Sequence, residues 1–596
     1  MHFQQPENTG EKFVLQAIAR GLVRLHQGVG WDVEDSFIES LLERIIADQG
    51  MRVLHLYQTH YPIERLLVQQ GTRPTFVAQE DFVFAKLRLA SGCTQGKPGE
   101  FLETKSECND FLHKVVDKVW RRIHDLLQQF DRTSVVRRAL AVHEAVIQDR
   151  DHWRRTAQAI IALYSTGEDV FAVAQKREHD RSRVGLAART ILEMAICECP
   201  VSGGRELSGW DLDELLAKAA LLVEAATDSD AIQSDLVKPR IQLHPNGEYT
   251  LDRSFHDTVI RPFFANYLRE EFEDAAGDYS KLYHRKRQTR RTRMEEIYSR
   301  DFISAFGAEF GLTPDEAIDG MAELMDLAVE IGSVLIETTV GALRERLTIV
   351  RGLSLEPYRA FVRTFGLFHR PAWDQPPGGF NIKDLSPWRF SRRLSVTVRP
   401  MLVFGERDDD KVFYGAGALR ETLGYLVART ERGQLPSTFF TSEEMKSYWG
   451  AVNHERGHAF SKSVADDFRN KGWRARDEVQ MTQLGGPSEL GDLDVLAWMP
   501  TGEVLLIECK RLQLARTVAE IAEICRRFRG EAKDELNKHM RRVAWVMQHP
   551  SSLESIVGFV PDLCRIEARL VTSTHVPMMY LKSLPIPVDK IRPFGE

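Results

Sequence analysis

Two acidic residues and a lysine stand out in the segment GDLDVLAWMPTGEVLLIECKR, residues 491–511. The segment reads as two strands around a Pro-Thr-Gly turn. By the period of two, Asp492, Asp494, Leu496 and Trp498 share one face of the first strand. Leu506, Glu508 and Lys510 share one face of the second, and Cys509 points the other way. A hairpin centred on Thr501 sets Trp498 opposite Val504 and Asp494 opposite Glu508. Facing residues have Cβ atoms about 5 Å apart. Carboxylates that close repel, and one pKa must rise strongly unless a cation intervenes. Mg²⁺ and Mn²⁺ take such oxygen ligands and leave positions for water and phosphate. Lys510, on the face of Glu508, can set a positive charge beside an attacking water or a scissile phosphate. Metal, water and cation together are the equipment of phosphodiester hydrolysis.

Gly491-Asp492-Leu493-Asp494 followed by Glu508-Cys509-Lys510 resembles the motif of the PD-(D/E)XK nuclease superfamily, the restriction-endonuclease-like enzymes. The resemblance covers residues 441–596, and it implies an α-β-β-β-α-β core. It implies that Asp494, Glu508 and Lys510 are catalytic. Asp494, Glu508 and the Cys509 backbone carbonyl would then hold Mg²⁺ or Mn²⁺. Many members also carry a Glu just after an aromatic residue on the first helix. Here Gly457-His458-Ala459-Phe460 is followed by Ser461, which departs from that pattern. Glu455 and Asp492 are the candidates for an additional acid. His454 and His458 are expected as ordinary helix residues.

The elements that must position this hairpin are legible on both sides. Phe460, Val464 and Phe468 line a preceding helix that ends at Lys471-Gly472-Trp473. Arg474 to Gln480 then forms a first strand. Val518 to Phe528 is helical, and a later strand follows from Ala568. Before residue 385 the pattern is mostly helical, with apolar positions at helical spacing from Phe111 to Leu127 and helix starts at Ser208 and at Thr313-Pro314. Asn246-Gly247 marks one hairpin. The Pro- and Gly-rich stretch 371–387 suggests a boundary. After it, RLSVTVRPMLVF and KVFY read as strands across the turn ERDDD. A Thr441-x-x-Glu444 pattern opens the last unit. The reading is a multidomain chain: a mostly α-helical N-terminal region of unmatched family (1–385), a small β-containing connector (386–440) and a C-terminal α/β restriction-endonuclease-like domain (441–596).

Composition narrows the function. The 596 residues carry 79 Lys and Arg against 86 Asp and Glu, a net charge of −7, with 43% hydrophobic residues. A uniformly basic nucleic-acid coat protein is excluded, but local basic patches are not. Residues 451–596 hold 21 Lys and Arg against 20 Asp and Glu, so the acidity lies in the rest. Arg526, Arg527 and Arg529, then Arg541 and Arg542, are candidate phosphate contacts. So is the run containing Arg285, Lys286, Arg287, Arg290 and Arg291. Seven cysteines imply no disulfide framework. With neither a secretory signal nor a membrane segment evident, a cytoplasmic protein is expected. The sequence thus points to a divalent-metal-dependent nuclease acting on nucleic acid, DNA before RNA. Its helical region would recognise a target, restrain the nuclease or assemble a homo-oligomer, in a setting such as bacterial restriction or anti-phage defence. The alternative is a nuclease fold that binds nucleic acid, or serves as an interaction scaffold, without cutting.

Overall fold

A computed structural model describes residues 9–594 except most of 31–61 and 88–98, and except 71–73, 164–166, 265–297, 390–391, 513–517, 532–533 and 581–583. The N-terminal region is helical, as its periodicity predicts. Four long helices dominate it: α1 (Lys105–Leu127), α2 (Arg132–Leu163), α3 (Gly167–Glu198) and α4 (Gly209–Gln233). Helix α1 starts at a capping box, in which Thr104 and Glu107 satisfy each other's backbone N–H groups. Its stripe of Phe111, Val115, Val119, Ile123 and Leu127 is buried. Helix α4 is apolar on most of its surface and is the buried centre of the bundle, packed by α1 and α3. Asn246-Gly247 does turn a hairpin, between β2 (Ile241–Leu243) and β3 (Tyr249–Leu251). Gly247 takes the left-handed φ of +77° that the turn requires. Strand β1 (Phe101–Leu102) completes this small sheet.

The middle of the chain corrects the expected connector. Its strands β6 (Met401–Val403) and β7 (Lys411–Gly415) do pair across the ERDDD turn, with Leu402 opposite Phe413. They form one four-stranded sheet, order β4-β7-β6-β5, with β4 (Leu335–Thr339) and β5 (Gly366–Phe368), which precede the Pro-rich stretch. Residues 386–440 are therefore not a separate piece. Helices α5 (Arg300–Phe310), α6 (Pro314–Ile331), α7 (Leu355–Phe365) and α8 (Ala416–Leu423) cover the sheet. The segment Arg393–Val398, expected as strand, forms turns. A side chain outcompetes the ladder there. Buried Glu193 of α3 pairs with the Arg392 guanidinium and accepts the Val396 N–H at 3.1 Å. Glu144 of α2 similarly caps α8, accepting the Gly417 and Ala418 N–H groups at 2.8 Å each.

The C-terminal unit has the predicted order of elements, with one helix (α11) and one strand (β12) more than expected: α9 (Glu443–Asn470), β8 (Arg474–Gln480), β9 (Asp492–Trp498), β10 (Val504–Lys510), α10 (Val518–Arg527), α11 (Glu535–Gln548), β11 (Ile566–Thr572) and β12 (Ile591–Pro593). The helix α9 begins one residue later than expected, at an Ser442 cap whose hydroxyl accepts the Met445 N–H. The sheet order is β12-β11-β10-β9-β8. Strands β8, β9 and β10 are antiparallel neighbours, and β11 joins β10 in parallel. Helix α9 covers one face through Val464 and Ala465, and α11 covers the other through Val543 and Val546. Among the described residues no helix is long and apolar enough to cross a membrane.

Gly320 of α6 shows how tightly the middle unit is packed. A Cβ there would lie 2.5 Å from the Phe361 ring of α7. Gly320→Ala should therefore destabilise the protein by about 1–3 kcal/mol, although alanine favours a helix by up to about 1 kcal/mol over glycine. Urea unfolding of the two proteins checks the sign. A stabilised variant would show that α6 and α7 do not meet at this point.

Candidate active site

The hairpin has the register that centring on Thr501 predicts: Val504 faces Trp498, and the ladder runs on to Ile507 opposite Val495. It stops there. At the next position the Asp494 carboxylate takes the Cys509 N–H at 2.7 Å, in place of a backbone acceptor. Alternation also breaks at Asp494: Leu493 packs on the α11 side, whereas Val495 packs on the α9 side. Opposite this break, Glu478 of β8 holds a left-handed φ of +54°, a costly conformation for a residue with a Cβ. The kink turns Asp494 toward the end of β10. Cys509 points away from the carboxylates, into the α9 face with Val464 and Ile507. Burial pushes its thiol well up.

Glu508 is 3% exposed and lies among cations. Its Oε1 is 2.8 Å from the Lys510 Nζ. Its Oε2 accepts the Arg542 Nη1–H at 2.7 Å and lies 3.4 Å from His539 Nδ1. Arg542 is itself fixed, donating from Nε to the Leu490 carbonyl at 2.7 Å. Lys510 also stands 4.0 Å from Asp494 and 3.6 Å from Glu535, whose other oxygen accepts from Arg527 Nε at 2.7 Å. The site is thus a chain of alternating charges at the C-terminal end of β10.

Their charged neighbours separate the two carboxyls. Desolvation, then the charge of Glu508, raises Asp494 to about 6, and Asp492 adds a little. Burial would raise Glu508 too, but His539, Lys510 and Arg542 outweigh it and hold that carboxyl low. Lys510 is raised, because Glu508 and Asp494 overcome its own desolvation.

Of the arginines proposed as phosphate contacts, Arg527 joins the site, through Glu535. Arg542 is committed to Glu508 rather than to solvent. Arg526 pairs with Glu523 on its own helix, and Arg529 reaches the Ser234 carbonyl at 3.4 Å. The run from Arg285 to Arg291, including Lys286, Arg287 and Arg290, lies outside the described residues. Glu455 is exposed on α9 and makes no bond to the site. Asp492 sits opposite Gln480 at the strand entry. His454 and His458 are more than isolated surface residues: their Nε2 atoms approach to 3.0 Å, and His458 Nδ1 contacts Glu478. Sequence reasoning missed Glu535 and His539. With Arg542 they form a polar stripe at i, i+4, i+7 behind an Asp534 cap, a helical spacing that would have flagged one face of α11.

Among the described residues no group of three or more His, Cys, Asp or Glu side chains is placed to hold a metal ion. A divalent ion would rest on Asp494 and Glu508, with the Cys509 carbonyl and water. That donor set is all oxygen, and the pair's mutual repulsion is what such an ion relieves.

The model of the family described as anti-phage protein Upx-like matches residues 1–587. The chain belongs to this family. No curated protein and no solved structure matches it.

The Asp494 shift sets a pH test. A carboxyl raised to about 6 in the folded state costs stability once it ionises, and the cost grows as pH climbs from its unfolded pKa of about 3.9 to 6. Asp494→Asn keeps an acceptor for the Cys509 N–H and removes that charge. It should stabilise the protein by on the order of 2 kcal/mol at pH 8 and much less at pH 4.5. Denaturant unfolding at the two pH values, without divalent ions, measures this. An equal gain at both would refute the placement of Asp494.

Proposed function

We propose that this member of the Upx-like anti-phage family is a divalent-metal-dependent nuclease whose C-terminal α/β unit hydrolyses phosphodiester bonds, of DNA before RNA. The observation that carries the reading is the meeting of Asp494, Glu508 and Lys510 at the C-terminal end of β10. The helix, three strands, helices and strand that follow one another around them fit the α-β-β-β-α-β order that the resemblance implies. Asp494 and Glu508 would hold Mg²⁺ or Mn²⁺, which when bound supplies Lewis acidity and an acidified water. The protein's own residues do the rest. Arg542 fixes one oxygen of Glu508, and the other faces Lys510. Lys510 can stabilise charge developing on a phosphate, but reaches it only by leaving Glu508 Oε1. The helical region would select the target or hold the nuclease at rest. In defence, that target would be the nucleic acid of an invading phage.

One observation favours a second reading, a nucleic-acid binder that does not cut: Glu508 is already compensated by Lys510 and Arg542 within the protein. Cleavage and gel-shift assays on the same DNA and RNA decide between them, with Mg²⁺, Mn²⁺ or EDTA. The nuclease should cut only with the ion. Asp494→Asn, Glu508→Gln and Lys510→Ala should each lose about a hundredfold or more in rate while still binding. Wild-type protein that binds but never cuts any substrate identifies the second reading. Cleavage that persists in EDTA removes the metal from the first.

A further inference from the structure

A cleft of about 410 Å³ lies where the middle sheet meets the start of α9, lined among others by Phe310, Arg363, Arg370, Phe380, Arg399 and Thr441. The volume suits a small molecule rather than a polymer. Its charge is unusual. Arg393 also lines it and is neutralised by Asp384, with contacts of 3.0 and 2.8 Å. The other three arginines have no carboxylate partner among the described residues. Arg399 donates only to carbonyls, from Nε to Arg393 at 3.0 Å and from Nη1 to Gly366 at 3.0 Å and to Arg363. Arg370 is 8% exposed, and its Nε has no hydrogen-bond partner. Arg363 is exposed at the mouth. Glu309, the one acid of the lining, is committed elsewhere: it accepts the Thr441 and Ser442 N–H groups at the start of α9. Buried cations without counter-charge are costly, and proteins keep them where an anion arrives. The remaining walls are largely apolar, with the rings of Phe310, Phe380 and Phe439 beside Leu367, Leu394 and Val398. The Phe380 ring already carries the guanidinium groups of Arg393 and Arg399, at 4.7 and 5.2 Å.

We propose that this cleft binds a phosphorylated aromatic small molecule of mononucleotide size. Its phosphate meets Arg363, Arg370 and Arg399, and its flat part lies on the Phe310 and Phe380 side. Occupancy is felt by α9, because Thr441 is both a wall of the cleft and the residue clasped by Glu309. Helix α9 is the helix that covers the sheet of the candidate active site, so the cleft is a control point for the C-terminal unit. The binding itself is independent of whether that unit cuts.

The test is calorimetry of the full-length protein against the four 5′-mononucleotides and their diphosphates, with nucleosides and inorganic phosphate as controls. One site per chain is expected for at least one nucleotide, with phosphate and nucleoside each much weaker. Arg363→Glu, at an exposed position that should not disturb folding, should weaken it about ten- to hundredfold. Arg399→Lys, which keeps the charge but not the fork, should weaken it too. Hydrogen exchange should show altered protection at residues 441–446 on binding, and Glu309→Gln should reduce that change. No binding by any nucleotide at millimolar concentration overturns the proposal. So does binding that both arginine variants leave unchanged. Capture by inorganic phosphate alone, or by single-stranded oligonucleotide but no mononucleotide, overturns the assigned ligand class.

Discussion

One carboxylate governs the C-terminal architecture. Glu508 stands on the central strand of a five-stranded sheet, 3% exposed, and a charge so placed is tolerated only if it is answered. Lys510 answers from its own strand, and Arg542 and His539 answer from α11. The helix is therefore bound to the sheet electrostatically as well as by Val543 and Val546. Asp494 is the residue left without such compensation, so the two acids differ in character although they sit side by side. An asymmetric pair of this kind holds one carboxylate kept ionised by its partners and one whose charge depends on its surroundings.

The reading from sequence was strongest where spacing and physics coincide. The hairpin register followed from a two-residue period and a Pro-Thr-Gly turn, and it placed Cys509 on the correct face because alternation leaves no other choice. Helix α1 and the caps at Ser208 and Thr313 were legible for the same reason: their signals are local. What remained hidden depended on residues far apart in the chain. Arg393–Val398 has strand-like residues but is pinned through Arg392 and Val396 by Glu193, about two hundred positions earlier, and no local pattern carries that. The connector was misread because β4 and β5, its sheet partners, lie before the Pro-rich stretch. Arg542 looked like a phosphate contact because a basic residue on a helix gives no sign of which buried acid it will meet.

Backbone and side-chain chemistry cooperate at the kink in β8 and β9. Glu478 accepts an unfavourable φ, Asp494 substitutes its carboxylate for a ladder acceptor, and the alternation of β9 changes face between Leu493 and Val495. A regular ladder would have given the Cys509 N–H a backbone acceptor. The distortion gives it the Asp494 carboxylate instead, and the cost is met by the surrounding sheet.

The largest apolar core has a consequence for how this protein can change over time. It does not end with the N-terminal helices: Ile521, Cys525 and Phe528, from α10 and the residue just after it, and Ile591 of β12 belong to the same cluster as Leu216 and Ile232 of α4. Severing the chain before α9 would lay that surface bare on both halves. The C-terminal unit is thus not a cassette that recombination can lend to another architecture, nor one that can readily acquire a new partner domain. Innovation in such a chain must proceed by substitution within a single inherited whole, with loops and clefts free to diversify and the seam between halves held fixed.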